Sequence, residues 1–132
     1  MFRFLLIFFL TSTYSFSNDQ QVTKAYEDNI QKADVLFREK DFQKAVGFYE
    51  LAFESNNSLG KVRDRYKAAS CWALLQKTDS AFFHLERIAF KGNFTDDEFI
   101  TTDINLIELH RDPRWVRIVE RIRQNKLKQN SN

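Results

Sequence analysis

The chain has 132 residues, 43% of them hydrophobic and 29% charged, a balance that suits one globular domain and excludes a disordered polypeptide. Three glycines and one proline favour long regular elements over a turn-rich β-fold, and a net charge of +2 is too small to imply nucleic acid as a partner. A single cysteine, Cys71, excludes an internal disulfide and any cysteine-clustered metal site.

At the N-terminus, Arg3 precedes an unbroken apolar run from Phe4 to Leu10, and Ser15 and Ser17 supply small residues two apart. This reads as a secretory signal over 1–17 with cleavage after Ser17, giving a periplasmic or secreted protein. The rival is an uncleaved anchor, but the apolar run is far shorter than the roughly 20 residues a spanning helix needs. Membrane contact is expected only if the segment is retained.

From Val22 the apolar positions fall at 22, 26, 30, 33 and 37, the stripe of a first helix. Lys40-Asp41 breaks it, with Asp41 as N-cap of a second helix that carries Phe42, Ala45, Tyr49, Ala52 and Phe53 on one face. Asn56-Asn57-Ser58 is a polar turn in which Ser58 could cap the third helix. That helix is expected from about Val62 to Leu75, with Tyr66, Ala69, Trp72 and Leu75 inward. A fourth is expected over about Ser80–Lys91, capped by Thr78 or Asp79 and closed by Gly92 in the left-handed region.

These helices repeat. Ala33, Leu36, Ala45 and Tyr49 match Ala69, Trp72, Ala81 and Leu85 at a constant offset of 36 residues, small on small and large on large. Ala52-Phe53 becomes Ile88-Ala89, which exchanges the sizes, and Glu50 matches Glu86. A period of this length built from two helices is the signature of a helical-repeat fold, and such folds bind other chains. The packing residues of the repeats are therefore Ala33, Ala45, Tyr49, Ala69, Trp72, Ala81 and Leu85. The small ones let antiparallel helices approach closely.

Beyond Gly92, Asp96 or Asp97 can start a short helix. Asp112-Pro113 is an N-cap followed by proline at the first helical position, and Trp115, Ile118, Val119 and Ile122 draw an apolar stripe that adds Trp115 to the packing residues. The opposite face carries Arg114, Arg117, Arg121 and Arg123 in water. Residues 124–132 lose the apolar periodicity and are expected to be disordered.

The run Lys40-Asp41-Phe42-Gln43-Lys44-Ala45, with Tyr49 and Ala52-Phe53 after it, resembles the turn and second helix of a tetratricopeptide repeat. Asp103-Ile104-Asn105-Leu106, Leu109 and Asp112-Pro113-Arg114-Trp115 are similar to the terminating segment that closes the last repeat in many bacterial repeat proteins. The resemblance implies an all-α fold: two hairpins, about 26–57 and 62–91, in a short right-handed superhelix, closed by a cap over 96–123. The domain then spans 22–123. It also implies a protein or peptide partner on a concave face, to which Asp34, Arg63 and Ser70 would project.

Nothing points to catalysis. His84 and His110 lie 26 residues apart, lack the spacing that puts two ligands on one side of a helix, and read as surface residues. The acids Asp96, Asp97, Glu98, Asp103, Glu108 and Asp112 lack the alternating oxygen ligands and central glycine of a calcium loop. Cys71, in mid-helix beside Trp72, reads as a core thiol. The chain is thus expected to be a non-enzymatic interaction module with no metal, cofactor, nucleic acid or small-molecule substrate. The alternative is a membrane-tethered envelope protein whose repeats act as a spacer. The basic C-terminal helix reads as a solvated face that favours the helix dipole rather than as a site for an anionic partner.

Overall fold

The structure is a computed structural model that describes residues 22–131; the expected signal segment 1–17 lies outside the described residues. The described residues are mostly helical and contain no strand, so the fold is all-α. The order is α1 (Lys24–Arg38), α2 (Phe42–Ser55), α3 (Val62–Leu74), α4 (Thr78–Phe90) and α5 (Asp97–Thr102). A 3₁₀ segment (Ile104–Arg111) and α6 (Pro113–Asn130) complete it. Helix α1 packs on α2 and α3 on α4 as two hairpins, α2 joins them through α3, and α6 lies on α4.

The 36-residue period is visible in the backbone. In the first hairpin Lys40 N–H donates to Phe37 O (3.0 Å) and Asp41 N–H to Leu36 O (2.9 Å). In the second, Gln76 donates to Ala73 O (3.0 Å) and Lys77 to Trp72 O (2.8 Å). Lys40 and Gln76 are both left-handed, with φ of 62° and 60°. This is the same paired C-terminal motif twice, closed by non-glycine residues, so Gln76-Lys77-Thr78 turns the chain as Lys40-Asp41-Phe42 does.

The helices enclose two hydrophobic cores. Tyr26, Ile30, Ala33, Ala45, Tyr49, Ala52 and Phe53 bury the first hairpin against Ala68 and Cys71 of α3. Tyr66, Ala69, Ala81, Phe82, Leu85 and Ile88 join Ile100, Leu106, Leu109, Trp115, Ile118 and Ile122 in the second. The four alanines of the repeat pattern, 33, 45, 69 and 81, are completely buried. Trp72 is only half-buried, but it packs against both cores and so joins the two units.

Polar residues also reach forward from one unit to the next, although the two tyrosines, Tyr26 and Tyr66, lie 40 residues apart and not at the repeat offset. Tyr26 hydroxyl donates to Asp64 Oδ2 (2.7 Å) and accepts from Lys61 N–H (2.9 Å), tying α1 to the start of α3. Tyr66 hydroxyl donates to Asp103 Oδ2 (2.5 Å), tying α3 to the cap. Glu50 on α2 accepts from Trp72 Nε1 (3.0 Å), and its counterpart Glu86 on α4 pairs with Arg117 of α6. The cap thus stands where a further repeat would stand, and its apolar stripe seals the second core.

Several local expectations need correction. The tail is not irregular: α6 runs to Asn130, because Asn125 continues the buried stripe of Ile118 and Ile122 and its Nδ2 donates to Ala89 O (2.8 Å) and Phe94 O (2.9 Å). The cap therefore extends past residue 123. Ser58 does not cap α3; it is left-handed (φ 59°), and Lys61 occupies the N-cap without a side-chain bond. Neither Thr78 nor Asp79 caps α4, which starts after Lys77. Gly92 is not left-handed; Asn93 takes that role with φ 50°. Glycine is required at 92 for space, since a Cβ there would lie 2.6 Å from Val62 Cγ2. Asp41, Asp96 and Asp112 cap α2, α5 and α6 as their positions suggest.

Candidate interaction groove

Val62, Arg63, Tyr66, Lys67 and Ser70 recur at spacings that set them on one face of α3. With Phe37 from the end of α1, Phe94 from the loop after α4, and Phe99, Asp103 and Asn105 from the cap, they line a groove of about 530 Å³. Its walls are mainly apolar. Tyr66 stands between Phe94 and Phe99, at ring-centroid distances of 6.2 and 5.0 Å, and Phe99 keeps 50% of its surface exposed. Burial and the bond to Asp103 both push the Tyr66 phenol above its ordinary range, so it stays protonated and keeps donating.

The three residues expected on a partner face have different fates. Arg63 is exposed at the groove rim, with Nε 3.3 Å from Asp64 Oδ1. Ser70 lines the groove but is itself buried, its hydroxyl donating to Tyr66 O (3.1 Å). Asp34 does not line it. Its carboxylate accepts from Tyr49 hydroxyl (2.7 Å) and Lys67 Nζ (2.8 Å), so it holds Lys67 in place and ties α1 to α2 and α3. Burial raises the Asp34 pKa, but these two bonds outweigh it and leave the group below the usual carboxylate range. Phe94, Phe99 and Lys67 do not stand out in the sequence. An aromatic pair after a helix-ending glycine is a signal for them only once the cap is known to fold back on α3.

A second polar centre lies between α2, α3 and α4. His84, expected on the surface, is 1% exposed. Its Nε2 is 2.7 Å from Glu50 Oε1, and its Nδ1 is 3.2 Å from Arg65 Nη1. Guanidinium can only donate, so Nδ1 must be the acceptor and the imidazole proton sits on Nε2, facing Glu50. Burial raises the Glu50 pKa, yet bonds from His84 and Trp72 more than compensate and lower it overall. A single-stripe reading misses His84 because α4 packs against α3 and α6 while also reaching α2, so it buries a wider arc. His110 is half-buried and stacks on Trp115 at 4.2 Å.

Cys71 is buried, and burial alone pushes its thiol up to about 12. No group of three or more potential metal ligands occurs among the described residues. No helix there is long and apolar enough to cross a membrane. The cations of α6 are largely paired within the fold: Arg114 with Asp112 and Asp79, Arg117 with Glu86, and Arg123 and Lys126 with Asp97. Comparison with protein-family models, curated proteins and solved structures gave no match.

Proposed function

We propose that the chain is a non-enzymatic interaction module of the tetratricopeptide type, exported by its N-terminal segment, and that the α3 groove receives a protein or peptide. The observation that carries this reading is the groove itself: an aromatic wall with Phe99 half in water, flanked by the cations Arg63 and Lys67. An exposed aromatic surface in a concavity is costly to leave in water and is worth keeping where a partner covers it. Two repeats offer a small surface, which suits a transient partner better than a permanent one. The repeat pattern supports the family reading, and the short apolar N-terminus supports export to a periplasmic or extracellular setting.

Phe99→Ser changes a half-exposed side chain, and Arg63→Gln removes the rim charge while keeping a donor beside the buried Asp64, so both should leave helicity intact. Each is expected to reduce crosslinking of partners to a photoreactive residue placed at position 105. Unchanged crosslinking in both variants would count against the groove. Charge reversal at Asp34 is a poor probe, because it disrupts the bonds to Tyr49 and Lys67 and lowers stability as well.

A further inference from the structure

The turn between the hairpins and the end of α4 enclose a separate cavity of about 280 Å³, lined by Arg65, Arg87 and Lys91 with the backbone of Gly60 and Gly92. It shares only Val62 with the α3 groove. None of the three cations is paired with a carboxylate among the described residues, although most other cations of the fold are.

Arg65 is 6% exposed, and its guanidinium is held in place. Nη1 donates to His84 Nδ1 (3.2 Å), Nη2 donates to Ser58 O (2.5 Å), and the plane lies 4.4 Å above the Phe53 ring. That leaves donors uncommitted on a group with five N–H bonds. Arg87 rests on Phe83 at 4.7 Å and lines the cavity beside Lys91. The Glu50 carboxylate lies on the far side of the His84 ring, bonded to Nε2, while Arg65 meets Nδ1. The Arg87 charge acts against the Arg65 cation, after burial, in lowering its pKa. Like charges brought together around a void are stabilised by an anion between them.

We propose that this cavity is a binding site for a doubly charged tetrahedral oxyanion, phosphate in the first instance, free or as the terminal group of an ester. Arg65 supplies a fixed donor plane, and Arg87 and the exposed Lys91 add positive charge along the wall. The planar guanidinium groups suit the paired oxygens of such an anion, a bidentate match that a spherical, singly charged halide lacks. The small substituent of an ester would extend toward solvent past the exposed Lys91.

The test is an NMR titration of the full chain with inorganic phosphate and, separately, glycerol phosphate, against chloride at matched ionic strength. The Arg65 guanidinium N–H resonances should shift saturably with phosphate and not with chloride. Arg87→Gln should weaken binding about tenfold or more, the loss of one charge-assisted hydrogen bond. Lys91→Gln, at an exposed position that does not support the fold, should weaken it by a smaller factor. Tighter binding of the ester would identify an esterified phosphate as the ligand, and tighter binding of the free ion would identify phosphate itself. No saturable shift with either probe, or binding unchanged in both variants, would overturn the proposal. Neither variant touches Phe99 or Arg63, so this result is independent of the groove.

Discussion

Asn125 offers a sharp test of how the repeat stack is closed. It sits on α6 beyond the last apolar residue of the stripe, is 6% exposed, and gives both Nδ2 hydrogens to backbone carbonyls, Ala89 O at the end of α4 and Phe94 O in the next loop. Asn125→Ala removes two hydrogen bonds at about 1 kcal/mol each and leaves both carbonyls short of a partner, a loss of about 2 kcal/mol. For a domain of about 110 residues that corresponds to a fall in Tm of about 8 °C. Urea unfolding monitored by circular dichroism measures it, with Leu127→Ala as control, because Leu127 is on the same helix but largely exposed. An unfolding free energy for Asn125→Ala within about 0.5 kcal/mol of the parent would refute the reasoning and return residues 124–130 to an irregular tail.

The same packing sets the outcome of other perturbations. Ala81→Leu or Ala45→Leu inserts volume at a fully buried helix contact and should cost about 1–3 kcal/mol in the same unfolding assay. Acid should destabilise the fold in a defined window. The Arg114 side-chain and backbone bonds hold Asp112 down to about 2, below its unfolded value of about 3.9, so its contribution is present above pH about 4 and is lost as pH falls toward 2. Asp97 and Glu50 are shifted in the same direction, by Lys126 and Arg123 in the first case and by His84 and Trp72 against burial in the second. Asp112→Asn keeps a capping side chain but cannot titrate, and should flatten the dependence of Tm on pH in that window without abolishing it.

The helices were legible because α1 to α4 each carry one dominant apolar stripe, and the repeat was legible because sizes recur at one offset. Ala33/Ala69 and Ala45/Ala81 are buried as pairs, and the two turns agree bond for bond. Burial of polar residues was not legible. Asp64, Arg65 and His84 look like surface residues in sequence, yet each satisfies a group on another helix, and periodicity along one helix carries no information about that. The same holds for Asn125, a polar residue that continues an apolar stripe. Gly92 carries a real signal with a different cause from the expected one: the backbone turn belongs to Asn93, and the glycine answers to Val62. The α3 groove was half visible. Arg63 and Ser70 line it, whereas Asp34 serves the interior, and the aromatic wall depends on the cap folding back over α3.

Two equivalent hairpins in series, each first-helix tyrosine reaching into the next unit, are the centre of this picture. A proton-detected NOE spectrum tests it most directly. Slowly exchanging hydroxyl protons are predicted for Tyr26 and Tyr66, with the Tyr26 hydroxyl showing an NOE to the Lys61 amide, 2.9 Å away between heavy atoms. Fast-exchanging phenols, with Tyr26 showing NOEs to its own hairpin alone, would contradict it.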